Sequence, residues 1–484
     1  MESKTNLRSD QFAHQQSRRL TDSVLSAAHE PGVFGRLECS LGKVGAQPRL
    51  RRALTLRHLL LYGVVVVCPF APMTSFGVMT ELGGGHVVVA ILIAMLAMLC
   101  TSISYGRMAQ AYPSAGSAFA YVGHEIHPTL GYLTGWGMIL DYVLCPVTCV
   151  VWCAEQSYAL APSLPVFTWK ILYAAAFTVL NVQSIRASAR LNVTLAAAMG
   201  VVAFAVLIGA THYILVHPHT DPIFYTRPFY DPKTFSYGAV LRSTSIAVLT
   251  YLGFDAISTL SEETVNPRRN ILLATVLTCF VIGALSAAEV YVAQLVWPAS
   301  ERFPNVDTAY VSAAARIWSP FFSILGVALI IGVFAGGAAS HLGAARLLYA
   351  MGRSSRVGRR FFGAIDPKHH IPRNNVVLIG AITLIGALLL TFAFGIEMVN
   401  FGALIAFMGV NAAAFIRYFV RGSRKTIWNF VPPVLGFLIC LGLSWNLSES
   451  AKILGSIWMS AGVLCVAWMS RGLKIPLTVE ELKE

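Results

Sequence analysis

Twelve apolar runs, each near the length a helix needs to cross a bilayer, follow one another along this 484-residue chain. A spanning helix takes about 20 mostly apolar residues. Runs of that kind lie near 57–79, 86–106, 130–158, 166–182, 191–215, 238–260, 271–297, 320–350, 375–395, 398–418, 428–446 and 452–470. A soluble domain is about 25% charged, whereas this chain is 12% charged and 56% hydrophobic, with mean hydropathy +0.64. The pattern predicts an all-α membrane protein with the lipid bilayer as its solvent.

An even number of spans puts both termini on one side. Of the 36 Lys and Arg residues, 29 fall in the tails and loops on the side of the termini and 7 on the other. Basic loops stay cytoplasmic, so both termini are expected there, in a multi-pass protein of the inner or plasma membrane. The same rule accounts for the net charge of +13. The basic residues form no face interleaved with aromatics, so no nucleic-acid partner is expected. Residues 1–55 read as a largely disordered, basic tail without the apolar core of a signal peptide.

Other chemistries find little support. The nine cysteines mostly sit inside apolar runs and imply no disulfide framework. Cys145, Cys149 and Cys153 share a helix face with Asp141, but one row without histidine does not enclose a tetrahedral ion. No metal and no cofactor are expected. There is no H-E-x-x-H, no nucleophile elbow and no carboxylate pair at one depth, which argues against an enzyme. A channel would share this architecture; a sensor should add a soluble signalling domain, and none is visible.

Two of the runs are broken. The first contains Cys68-Pro69-Phe70-Ala71-Pro72-Met73-Thr74-Ser75-Phe76-Gly77 and the sixth contains Tyr251-Leu252-Gly253-Phe254-Asp255-Ala256-Ile257-Ser258. Each proline removes a backbone donor and clashes with the preceding turn. Gly253 beside an ionisable Asp255 weakens a helix at mid-depth in the same way. Unpaired main chain survives in a membrane only where it lines a cavity or is buried in protein. Interruptions at matching places in two halves point to a transporter binding site.

At these residues the chain resembles the amino acid–polyamine–organocation superfamily, and specifically its putrescine importers. Pro113-Ser114-Ala115-Gly116-Ser117-Ala118-Phe119-Ala120-Tyr121 is similar to the superfamily's P-x-A-G-x-x-Y-x-Y stretch, with Phe119 in place of the first tyrosine. Gly135-Trp136 with Asp141-Tyr142 resembles its third helix. Gly253-Phe254-Asp255, Ser261-Glu262-Glu263 and Asn266-Pro267 resemble its sixth. Arg346-Leu347-Leu348-Tyr349-Ala350-Met351-Gly352-Arg353 resembles the end of its eighth, and Asn400-Phe401-Gly402-Ala403-Leu404 its tenth. The resemblance implies about 12 transmembrane helices: a five-plus-five inverted repeat over residues 56–420, with helices 1 and 6 broken, then two additional helices over 421–472 and a cytoplasmic tail over 473–484. It implies alternating access.

Many amino acid permeases carry Gly-x-Gly at the first break, where bare amides of a half-helix receive a carboxylate. Here Pro72, Met73 and Phe76 occupy that stretch, and Ala339-Ser340-His341 is also closer to putrescine importers. A substrate without a carboxylate fits better. Ala71, Met73, Thr74, Ser75, Phe76 and Gly77 are therefore candidate substrate contacts, together with Tyr251, Gly253, Phe254 and Asp255 of the second break. Phe254 and Tyr251 would close over the ligand, adding about 0.5–2 kcal/mol of cation–π attraction.

Intramembrane carboxylates are functional candidates by default. Asp255 would contact substrate or hold its own broken helix. Asp141 would meet the substrate or a helix end. Glu289 would take the second ammonium of a diamine or face the outer vestibule; Glu155 lies nearer the outer end. For proton coupling the candidates are Asp255 and His341, though a helix-packing histidine is an equal reading. Some proton-coupled relatives place a lysine in helix five; Met199 occupies that position and cannot titrate. The reading is a secondary-active uptake permease for a small amine, putrescine or a related polyamine, driven by proton symport. The alternative is a permease for cationic or neutral amino acids.

Overall fold

The computed structural model describes residues 54–469 except 69, 113–116, 184–188, 218–220, 262, 299, 355–358, 367–370 and 424. Residues 1–53 of the predicted 1–55 tail, all of the predicted 473–484 tail, and the Pro113–Gly116 part of the motif lie outside the described residues. Among those described there is no β-strand, only an isolated parallel bridge between Leu54 and Thr264.

The helices are α1 (Leu56–Val67), α2 (Ala71–Leu82), α3 (Val87–Ala111), α4 (Ser117–Glu125), α5 (Pro128–Leu160), α6 (Val166–Val182), α7 (Ala189–Val216) and α8 (Tyr237–Ala247). A 3-10 turn, Val248–Tyr251, extends α8. Then come α9 (Ala256–Thr259), α10 (Pro267–Val296), α11 (Ala309–Ile317), α12 (Phe321–Ser354), α13 (Arg359–Phe362), α14 (Arg373–Leu389), α15 (Phe392–Phe415), α16 (Ile427–Trp445) and α17 (Glu449–Met469). Among the described residues, nine helical segments are long and apolar enough to cross a membrane, ten if the α1–α2 pair, bent by 45°, counts as one. The shorter apolar helices α6 and α14, of 17 residues each, account for the remaining two apolar runs.

Most boundaries match the apolar runs to within a few residues. One differs: the run at 375–395 stops early, because Thr391 caps α15 by accepting the Phe394 amide at 3.4 Å. The helices α4 and α11 escaped notice because they are too short and too polar on one face to stand out as apolar runs.

The helices pack as two groups. In one, α3 lies along α10 and α8, with α1 against α10 and α2 against α8. In the other, α5 packs on α12, α6 and α14, which also touch each other. Helix α15 leans on α5 and on α16.

The two ends of the bundle are held differently. At the end carrying the basic loops, the Glu125 carboxylate, 3% exposed, accepts from Arg417, from Arg421 at 3.1 Å and from the Tyr112 hydroxyl at 2.6 Å. These partners offset the cost of burying the charge, and the network ties α3, α4 and the end of α15. At the opposite end a loop seals α2. Phe76 meets Phe303 and Tyr310 edge-on, with centroids 5.8 and 5.5 Å apart. Trp152 Nε1 donates to the Asp307 carbonyl oxygen at 2.8 Å.

Exposure along the first broken span follows the same division. Residues 72–80 of α2 are all buried. In α1 only Leu59, Gly63 and Val67 are buried, while Leu61 is 67% exposed and Tyr62, Val65 and Val66 are 37–39% exposed.

Two predictions follow from the sealed end. A Cβ on Gly77 would lie 2.0 Å from the Val306 carbonyl oxygen, so Gly77→Ala must displace the loop. A thermal melt should show a loss of about 1–3 kcal/mol. Gly336→Ala, where nothing lies within 4 Å of the new Cβ, should show none. A melt unchanged by Gly77→Ala would mean the loop is not seated on α2.

The second concerns Asp307, whose carboxyl is pushed from 3.8 up to about 6 by burial and then by Glu155 and Glu81, with Lys170 opposing. Between those two values the folded chain keeps a proton that the unfolded chain releases, so stability falls as pH rises through the window. Asp307→Asn should therefore raise the melting temperature above pH 6 and leave it unchanged near pH 4. The gain is at most about 3 kcal/mol. Equal shifts at both pH values would refute the linkage.

Candidate functional site

The two interruptions touch. Cys68, just past α1, takes a φ of 60°, and Gly253 takes a φ of 104°. A Cβ on Gly253 would sit 3.0 Å from Val66 Cγ1 and 3.4 Å from the Val66 carbonyl oxygen. A side chain there would face both a strained φ and the main chain of α1.

Four half-helix ends converge at this point. Helices α1 and α8 arrive by their C-termini; α2 and α9 leave by their N-termini. Free carbonyls give a C-terminus partial negative charge, and free amides give an N-terminus partial positive charge. This sequence uses up the amides. The Ala71 amide donates to Cys68 O at 3.0 Å and the Met73 amide to Phe70 O at 3.1 Å, while Pro72 has no amide.

The hydroxyls are turned the same way. Thr74 Oγ1 donates to Ala71 O at 2.8 Å and Ser75 Oγ to the same oxygen at 3.3 Å. Their hydrogens point back into the helix, so each oxygen offers a guest only lone pairs. At the second break the Asp255 carboxylate faces the amides of Gly253, Ala256 and its own residue. Among the described residues, the first break offers mainly acceptor oxygens.

The predicted residues fall into distinct settings. Asp255 is half-buried at the second break, just before α9, with Tyr62, Tyr105, Tyr121, Tyr142 and Asp141 in its electrostatic neighbourhood. Asp141 is half-buried on α5, one turn before Cys145, whose Sγ lies 3.3 Å from Ser340 Oγ on α12. Phe254 is fully buried, 5.3 Å from the Tyr105 ring and 5.4 Å from Phe407. Tyr251 is fully buried and donates to Ile91 O at 2.9 Å. In this conformation both aromatics are walls packed against helices. Met73 and Phe76 are buried as well.

Glu289 is 1% exposed on α10, and neither carboxyl oxygen has a hydrogen-bond partner among the described residues. Cys68 of the first break and Tyr310 lie in its electrostatic neighbourhood. His341 is separate in character: its Nε2 lies 2.9 Å from Val376 O on α14, and its ring meets Phe177 of α6. Its recorded neighbours join α12 to α14 and α6, and no carboxylate is among them.

Tyr105 was not singled out by the sequence, although its hydroxyl is buried and unpartnered beside the second break. Its signal was weak, a single tyrosine inside the long apolar run of α3. Among the described residues, no group of three His, Cys, Asp or Glu is placed to hold a metal ion.

Known proteins place the chain. The amino acid permease family model matches residues 58–451. The low-affinity putrescine importer PlaP of Escherichia coli (strain K12) is 33% identical over 437 residues, covering 88% of this chain and 96% of that protein. The branched-chain amino acid permease BcaP of Lactococcus lactis is 24% identical, covering 86% of this chain and 94% of its own. Cationic amino acid transporter 6, chloroplastic, of Arabidopsis thaliana is 23% identical, covering 93% and 79%. The chain therefore belongs to the amino acid permease family, within the amino acid–polyamine–organocation superfamily, a family of membrane transporters and not of enzymes.

Proposed function

We propose that this permease carries a small organic amine, putrescine or a related polyamine, inward by proton symport. The observation that carries the reading is the state of the first break. Ala71 and Met73 have their amides bonded within the turn, residue 72 has none, and both neighbouring hydroxyls donate backward. Among the described residues, a carboxylate guest would meet amides and hydroxyls already bonded within the turn. An ammonium would find hydroxyl oxygens, the C-terminal ends of α1 and α8, and the carboxylates of Asp255 and Asp141. A helix end of this kind contributes up to about 2 kcal/mol to a charge in a partly buried setting.

In this reading the basic-loop end is cytoplasmic, as the Lys/Arg bias requires. The buried α2 and the partly exposed α1 then describe a conformation sealed outside and loosened inside. The two packed groups correspond to the moving and static parts of a five-plus-five inverted repeat. Asp255 is the first candidate for the coupled proton. His341 is the second, with Nδ1 left unpartnered when Nε2 donates to Val376.

The competing reading, a permease for cationic or neutral amino acids, is favoured by the names of the relatives at 24% and 23% identity. It needs a carboxylate seat that the first break does not offer.

Purified protein in liposomes separates the two. Labelled putrescine should enter, cadaverine should compete, and an inward proton gradient should speed uptake. Better competition by arginine or alanine than by cadaverine would end the diamine assignment. Uptake indifferent to the gradient would end proton symport. In the same system Asp255→Asn should slow uptake at least tenfold at equal protein content, and unchanged kinetics would remove Asp255 from the mechanism.

A further inference from the structure

Helix α10 carries a buried polar row that includes Glu289. Thr278, Ser286 and Glu289 are each at most 1% exposed. Thr278 Oγ1, Ser286 Oγ and both Glu289 carboxyl oxygens lack a partner among the described residues. Ser286 and Glu289 are three apart on one helix and so stand side by side. Thr250 Oγ1, in the turn that extends α8 and packs on α10, is buried and unpartnered too.

The row runs beside the first broken span. A Cβ on Gly63 of α1 would lie 2.5 Å from Thr278 Oγ1. Further along, Glu289 has Cys68 of the break and Tyr310 in its electrostatic neighbourhood. Tyr310 does not satisfy the carboxyl: its hydroxyl reaches the Glu289 backbone carbonyl, at 3.4 Å. No arginine, lysine or histidine pairs with it among the described residues. A desolvated carboxyl with no compensating partner is among the costlier groups a fold can keep. Such a group persists where a partner arrives during function.

We propose that Glu289, with the Ser286 hydroxyl beside it, receives the second positive charge of a linear diamine whose first ammonium lies between the two breaks. An ammonium brings three donors and no acceptor, and among the described residues this cluster offers acceptor oxygens and the rotatable hydroxyls of Thr250, Thr278 and Ser286. The row thereby makes the permease selective for dications over monoamines. The inference rests on the amine reading above and names what that reading leaves open, the end of the site that measures charge number.

The test is equilibrium competition on the full chain in lipid nanodiscs, with labelled putrescine displaced by unlabelled putrescine or n-butylamine, in sodium chloride and in choline chloride. The wild type should prefer putrescine at least tenfold. Glu289→Gln should reduce that preference ratio at least tenfold, and Ser286→Ala two- to threefold, independently of sodium. A ratio unchanged in Glu289→Gln, or equal losses for both amines, would overturn the proposal. So would a requirement for sodium that disappears in Glu289→Gln, which would assign the oxygens to an alkali cation. If Glu289→Gln does not fold, Ser286→Ala decides, and an unchanged ratio there overturns it. Wild-type protein that binds neither amine would sink the amine reading itself, and this inference with it.

Discussion

A lipid-embedded main chain has nowhere to put an unpaired amide or carbonyl except inside the protein. Both broken spans obey that constraint, and the rest of the structure is arranged around it. The interruptions are placed against each other, Gly253 on Val66, so that each covers part of the other's exposed backbone. Around them α3 and α10 pack against the broken spans. Helices that a soluble protein would kink freely are here broken once each, at one depth, and enclosed.

The polarity of the breaks carries the chemistry. A helix interruption always creates one positive and one negative end. Proline at the second position of α2, the bonded Ala71 and Met73 amides and the hydroxyls bonded back to Ala71 all reduce the positive end at the first break. What is left facing inward is oxygen. A related chain with glycine at those places would present amides instead, and the same fold would then suit a carboxylate. This is how one family architecture can accommodate substrates of opposite charge.

The two ends of the bundle differ in how they are closed. One is sealed by packing: Phe76 with Phe303 and Tyr310, and Gly77 against the Val306 carbonyl. The other is tied by charge: Glu125 with Arg417, Arg421 and Tyr112. Packed apolar contacts are bistable and re-form in few arrangements, whereas a compensated carboxylate is broken only at the cost of exposing it to water or leaving it bare. The charged tie joins α3, α4 and α15 at the basic end, while the aromatic seal sits directly on the broken span.

The amino-acid sequence by itself determined the elements. Apolar length marks a spanning helix because the bilayer sets that length, and prolines and an ionisable residue mark the breaks because both disrupt a helix locally. Asp255, Thr74 and Ser75 were legible as candidates for the same local reason. Tertiary structure decided what each group has as a partner. That Tyr251 is anchored to Ile91, that His341 bonds to Val376, and that Tyr105 stands beside Asp255 depend on residues distant in the chain. So does the isolation of Glu289: a carboxyl in an apolar run is visible in any sequence, but only packing shows that no arginine, lysine or hydroxyl among the described residues comes to meet it. Hydrogen bonding and desolvation act over a few ångströms in space, and a linear sequence does not record which distant residues share that space.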